Sequence, residues 1–324
     1  MQNTIEVKDL LVYSPKYNTD LKAYGVNKPF ALDRGQVVLE RLQRDCGITA
    51  AYTEPAPVSN PDIELVHSPT YLESLKYPAT WLQIFEFDEE EYRPGQSTRP
   101  LSELLDDIKL KCGGTVLACR QALRFGLAAN LGGGYHHAFS EQGRGFCVLN
   151  DIAIALCSLT VSRQIKKAMV VDVDFHQGDG TALIFQDDPN VFTFSIHSAE
   201  GWPETKQTGS LDIALKHDET GSYLERLKGG LETALSAFTP ELVIYVAGSD
   251  PYELDVLPGT RFMNLSLDTL LRRDELVIDR FVETGIPLAM VFAGGYGPHV
   301  WEVHYNAVKH LLKRAGALAA VERV

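Results

Sequence analysis

Long apolar runs are missing from this chain: no stretch approaches the roughly 20 residues that a membrane-crossing helix needs. The opening MQNTIEVKDLLVYSP has neither the basic start nor the apolar core of a secretory signal, so a cytoplasmic protein with no membrane partner is expected. Cysteine is sparse. Cys46, Cys112, Cys119, Cys147 and Cys157 are odd in number and none stands in a C-x-x-C pair, which argues against a disulfide framework and a thiolate zinc knot. Basic residues are in deficit, with Lys+Arg 30 against Asp+Glu 43 and a formal net charge of −13. Such a surface repels nucleic acid phosphates and attracts cationic substrates, although solubility alone accounts for most of the charge. Repeats, low-complexity tracts and Pro/Ser-rich linkers are also absent, so residues 1–324 read as a single domain.

What the chain does have is enough apolar material for a large core, 45% of its 324 residues. Short β-rich runs are expected as strands at Leu10–Tyr13, Ala128–Leu131, Ala168–Val173, Val191–Ile196, Leu242–Val246 and Leu288–Phe292. Helix-period apolar positions fill Leu104–Phe125, Asp151–Val161, Tyr223–Phe238 and Thr269–Val282. Apolar strands separated by helices imply an α/β fold with a mostly parallel sheet covered on both faces. Phe85–Pro100, FEFDEEEYRPGQSTRP, is a long polar loop. In such folds chemistry gathers beyond the C-terminal ends of strands, so the unusual residues should follow the strands.

They do. The run VVDVDFHQGDG ends in Asp172, Asp174 and His176 at alternate positions, which share one face of an extended chain. Two carboxylates and an imidazole gathered this closely suit a divalent cation; the alternative is that the aspartates cap the next helix and His176 merely packs. After Leu131 comes GGGYHHAF with the tandem His136–His137, suited to carry a proton and to stabilise charge, or simply exposed. The Leu242–Val246 strand runs into AGSDP, with Asp250 just past its end. The Leu288–Phe292 strand runs into AGGYG, placing Tyr296 on a glycine-flanked loop free to move, or else as a packed aromatic. Asp174, His176 and Asp250 together supply three ligands and leave a coordination position open, as at a catalytic zinc site. Asp172 and Asp179 remain to orient the two histidines.

GGGYHHAF, GRGFCVLND, VVDVDFHQGDGT, FSIHS, AGSDPYELD and AGGYG, in this order, resemble the serial motifs of zinc-dependent histone-deacetylase-like amidohydrolases. VYSPKYN, HSPTYLESL, LGGGYHH and LRRDELVI look most like the small class IV branch, which is common in bacteria. The resemblance spans about residues 10 to 312 and implies the arginase/deacetylase fold. It implies that Asp174, His176 and Asp250 hold Zn²⁺. It makes His137, paired with Asp179, the general base and acid, His136, paired with Asp172, the electrostatic partner, and Tyr296 the hydroxyl donor. Gly145 and Phe146 would line an acyl-lysine tunnel, with Trp202 its opposite wall. Structural K⁺ or Na⁺ sites are implied near Asp172, Asp174, His176, Ser195 and Ile196, and near Phe185, Asp188 and Val191.

Two positions depart from the pattern: Gln177 replaces a second histidine, and Lys28 stands where class IV relatives lead one to expect histidine. Asp88 in the acidic loop is a candidate, by position, for the residue that clamps a peptide backbone. The implied activity is removal of acyl groups, acetyl or longer, from lysine, with acetylpolyamines or other small cationic amides as the competing substrates. A binuclear manganese ureohydrolase would need a second carboxylate after the late strand, where Ser249-Asp250-Pro251 offers one. A non-catalytic scaffold would have lost a ligand or the tyrosine.

Overall fold

The segment Ala168–Asp172, AMVVD, is buried at every position, as a central strand covered on both faces must be. The computed structural model describes residues 5–28, 30, 32–49, 51–88 and 90–318, and among these seven strands form one sheet. They are β1 (Leu11–Val12), β2 (Leu127–Asn130), β3 (Ala168–Asp172), β4 (Val191–Ser198), β5 (Leu211–Leu215), β6 (Leu242–Val246) and β7 (Leu288–Val291). Their order is β1-β2-β7-β6-β3-β4-β5 and every neighbouring pair is parallel.

Alternation along each strand divides the core in two. Met169, Val171, Val243, Tyr245 and Met290 face a layer made by α1 (Arg34–Cys46), α8 (Tyr223–Ala237), α9 (Leu267–Thr284) and α10 (Val300–Arg314). Ala168, Val170, Ile244, Ala289 and Val291 face α5 (Leu104–Phe125) and α6 (Asp151–Val161), with the short α2 (Asn60–Glu64), α3 (Pro69–Ser74) and α4 (Pro78–Phe85) beside them. Helix α7 (Asp179–Ile184) follows β3 directly. Side-chain caps set the helix starts. Asn150 accepts the Ala153 N–H at α6, and Ser266 accepts the Thr269 N–H, so α9 begins at Leu267 rather than Thr269.

The six expected strands are all present, within a residue or two of their expected ends. Strand β5 was not anticipated. It lies at the sheet edge with alternate residues half exposed, so its LDIAL run carries too little apolar signal. Helices α1 and α10 also went unread, although Val38, Leu39 and Leu42 repeat at helical spacing on α1. The polar Phe85–Pro100 segment begins on the last residue of α4 and forms a 3₁₀ turn at Pro94–Gln96.

The order of the strands locates the site. From β3 the chain moves outward to β4, and from β6 it moves the other way to β7. The β3–β6 pair is therefore the point where connections diverge, and a crevice opens there beyond the C-terminal ends of the strands. Asp174 and His176 leave β3, Asp250 leaves β6, and all three meet in that crevice.

Candidate active site

At the end of β3 each acidic side chain fastens the chain that follows it. Asp172 Oδ1 accepts the Asp174 N–H at 3.1 Å, and Asp174 Oδ1 accepts the His176 N–H at 2.9 Å. Neighbouring loops hold the same carboxylates from other sides. Gly294 N–H donates to Asp174 Oδ2 at 2.8 Å, and Phe175 N–H donates to Asp250 Oδ1 at 3.0 Å. Only glycine fits at 294, because a Cβ there would stand 2.5 Å from oxygens of both Asp174 and Asp250. The aspartates do not cap α7, whose N-cap Gly178 has no side-chain hydrogen bond. They converge instead: ligand atoms of Asp174, His176 and Asp250, all buried, lie within 4.8 Å of one another.

The charge balance of this cluster suits a cation. Burial, then the neighbouring Asp174 charge, pushes the Asp250 carboxyl up to about 6. Burial also works against ionised Asp174, yet His136 and His176 hold its carboxyl well below the usual range. His176 Nδ1 faces both carboxylates, 2.9 Å from Asp250 Oδ2 and 3.2 Å from Asp174 Oδ1, and these raise the imidazole against the cost of burial. Two oxygen donors and one nitrogen thus face one point. A divalent ion that displaces the His176 proton fits the donor set. Among the described residues this is the one cluster of at least three such groups close enough to share an ion.

The tandem histidines stand beside it. His136 Nδ1–H donates to Asp172 Oδ2 at 2.7 Å, and His137 Nδ1–H donates to Asp179 Oδ1 at 2.6 Å. Both bonds leave Nε2 as the working nitrogen. The rings lie 4.0 Å apart between centroids, but their surroundings differ. Burial opposes charge on His136, but Asp172 and Asp174 hold it up at about 10. Burial, then the His136 charge, pushes His137 down to about 3, which leaves it a neutral proton acceptor. The loop carrying them is anchored from below. Asp151 accepts the N–H groups of Gly134 and Tyr135 at 2.9 and 2.6 Å, and Thr181 N–H donates to the His136 carbonyl at 3.0 Å.

Tyr296 lines the same cleft, with its backbone N–H donated to Asp255 Oδ2 at 2.7 Å. Burial, and then the Asp250 charge, keeps its hydroxyl protonated. Gly145 and Phe146 are consecutive left-handed residues at φ 52° and 66°, a conformation costly for phenylalanine and typical of functional sites. It turns the Phe146 ring to face Tyr296 at 6.0 Å and Phe30 at 5.2 Å. A Cβ at Gly145 would collide with Trp202 at 2.7 Å and His137 at 2.8 Å. Trp202 is outside the cleft lining but stands 4.7 Å from the His137 ring and 6.0 Å from the His176 ring. Lys28 stands 5.0 Å over the Phe146 ring and pairs with Glu91 at 3.0 Å.

Ser195 pairs in register with Asp172, and Ile196 follows it on β4, so both flank the Asp172–His176 turn. Phe185, Asp188 and Val191 make a tight turn, in which the Phe185 and Asp188 carbonyls accept the N–H groups of Asp188 and Val191. Asp88 spends its carboxylate on the Glu90 and Glu91 N–H groups of its own loop. Several supporting residues went unread in the sequence. Arg34 donates to the Ala293 and Gly294 carbonyls, and Arg144 pairs with Asp179 at 3.2 Å while its guanidinium lies 4.5 Å over Trp202. Fully buried Arg273 donates to the Gly248 carbonyl at 2.7 Å, two residues before Asp250. No local pattern announces them, since each acts across a long sequence separation.

The fold and the cluster define an α/β protein with a buried carboxylate–imidazole centre at a strand switch point. The histone deacetylase domain model matches residues 28–312, and this chain belongs to the histone deacetylase family. An uncharacterized protein of Picosynechococcus is 44% identical over 205 residues, 63% of this chain but a little under two thirds (66%) of that relative. Histone deacetylase 2 of Arabidopsis thaliana is 32% identical over 311 residues, 94% of this chain and 79% of the plant protein. A probable deacetylase of Methanothermobacter thermautotrophicus is 28% identical over 323 residues, covering 89% of this chain and 86% of its own length.

Proposed function

We propose that this protein is a zinc-dependent amide hydrolase that removes acyl groups from lysine side chains, as a class IV-like member of its family. The observation that carries this reading is the buried Asp174–His176–Asp250 cluster set beside two histidines, each tied to its own aspartate. Asp174, His176 and Asp250 would hold Zn²⁺, which when bound would supply Lewis acidity toward the amide carbonyl and the attacking water. Neutral His137, fixed by Asp179, takes the proton from that water through Nε2 and returns it to the departing lysine amine. His136, held by Asp172, keeps positive charge near the oxyanion as it develops, and the Tyr296 hydroxyl donates a hydrogen bond to that oxyanion. Gly145 and Phe146, with Trp202 packed beside the His137 ring, flank the aliphatic part of the lysine. A monovalent cation on the carbonyls around Ser195 and Ile196, and a second at Phe185, Asp188 and Val191, would brace the turns that carry these groups.

The net charge of −13 suits a cationic substrate, whether a lysine peptide or an acetylpolyamine. Mass spectrometry of the zinc-loaded protein with acetyl-, octanoyl- and myristoyl-lysine peptides, beside acetylspermidine, tests the proposal. Formation of the deacylated peptides at rates well above deacetylation of acetylspermidine supports it; cleavage of the polyamine alone overturns it.

A further inference from the structure

The cleft does not stop at the metal cluster. Its lining also takes in Gly132–Gly134, Tyr17, Leu21, Leu104, Ile108 and Lys111. Gly134 abuts Ala293 at one end of this inner arm, and Gly132 faces the Tyr17 ring at the other. An amide with its carbonyl at the cluster has two substituents, and the inner arm is where the acyl chain goes.

Lys111 is only 8% exposed, which is rare for lysine without a carboxylate partner. Its Nζ has one polar contact, the Thr19 hydroxyl at 3.5 Å, and lies 6.0 Å from the Tyr17 ring. Among the described residues it forms no ion pair. Asp107, one helical turn earlier on α5, lines the arm from a partly exposed position where water screens it. Arg34 lines the same arm with its guanidinium engaged by the Ala293 and Gly294 carbonyls. Burial lowers Lys111 to about 8, against the opposing pull of the Asp107 carboxylate and with a smaller push from Arg34 in the same direction. A buried lysine with no ion pair, in an arm lined by Leu21, Leu104 and Ile108, is the complement of an anion at the end of a hydrocarbon chain.

We infer that Lys111 recognises a carboxylate at the far end of the acyl group, so that the substrates include lysine acylated by medium-length dicarboxylic acids. This rests on the deacylase reading above. The reaction stays a hydrolysis. The water oxygen bonds to the acyl carbon, the carbon–nitrogen bond breaks, the water proton passes to the lysine amine, and a free dicarboxylate leaves. Methylenes between the two carbonyl carbons lie against Leu21, Leu104 and Ile108, and each one buried favours binding by ~0.8 kcal/mol, about fourfold.

The experiment compares kcat/KM on peptide pairs of equal chain length, glutaryl- against pentanoyl-lysine and suberoyl- against octanoyl-lysine, in the wild-type protein and in Lys111→Met and Lys111→Arg. The expected result is that Lys111→Met shifts the dicarboxylic-to-neutral ratio at least tenfold toward the neutral acyl at one length or more, and that Lys111→Arg keeps the wild-type ratio. Titration calorimetry of suberate into each metal-free protein gives a readout independent of turnover, and its affinity should fall at least tenfold in Lys111→Met. Ratios and affinities that move less than twofold overturn the inference. So does loss of inhibition by acetate and butyrate without any shift in the ratio, which would make Lys111 a site for the released acid alone. Failure on the neutral peptides as well would instead defeat the deacylase reading itself.

Discussion

Asp255 accepts the backbone N–H of Tyr296 at 2.7 Å, while its other oxygen takes the Leu257 N–H at 2.9 Å and the Thr260 hydroxyl at 3.1 Å. One carboxylate thus ties the loop after β7 to the loop after β6, and the tyrosine is held by its backbone. Asp255→Ala should lower kcat by roughly 10- to 100-fold, the cost of misplacing a reacting group by about an ångström. Because it acts through Tyr296, the double variant with Tyr296→Phe should be little slower than Tyr296→Phe alone. Multiplied losses in the double variant would give Asp255 an independent role.

Tyr296→Phe removes only a hydroxyl. Fold and metal content should persist while kcat falls roughly 10²- to 10³-fold, as when one oxyanion donor is lost. Steady-state kinetics beside metal analysis checks this, and an unchanged rate would leave Tyr296 a packing role.

Asp174→Ala, His176→Ala or Asp250→Ala should each lose zinc and activity together, since two remaining ligands hold the ion weakly. Inductively coupled plasma analysis of dialysed protein reads this directly. A variant that retains stoichiometric zinc and normal turnover would remove that residue from the ligand set.

His67 gives a pH prediction. Its Nδ1–H donates to the Phe139 carbonyl at 3.0 Å and its Nε2 accepts the Asn150 N–H at 2.9 Å, so it is neutral in the folded protein. Burial pushes the imidazole down to about 4. The folded value lies below the unfolded one of about 6.5, so its stabilisation is complete above pH ~6.5 and is lost as pH falls toward 4. Between pH 7.5 and 5 this group alone should remove about 2 kcal/mol. Urea titrations at the two pH values should show a smaller loss for His67→Gln than for the wild type; equal losses would mean His67 does not carry the effect.

The chain's most legible features were those with a short period. Near-continuous apolar runs such as AMVVD announced β3, and Asp172, Asp174 and His176 at alternate positions marked its functional end. The edge strand Leu211–Leu215 was not legible, because Leu215 alone of its five residues is buried. Arg34, Lys111, Asp255 and Arg273 were not legible either. Arg34 reaches a carbonyl 260 positions away, and the worth of Lys111 depends on a cavity that exists only after α5 packs near Tyr17. The roles of His136 and His137 could be guessed from their tandem placement. Their division into a charged and a neutral ring required the separate aspartates that only the fold brings to each.

The decisive measurement is a titration of the metal-free protein with zinc, following hydrolysis of an acyl-lysine peptide at each addition. Activity should rise linearly and break at one equivalent in the wild type, and should not appear at any equivalent below tenfold excess in Asp250→Ala. A break at two equivalents, or full hydrolysis by the metal-free protein, would contradict a single zinc centre at Asp174, His176 and Asp250.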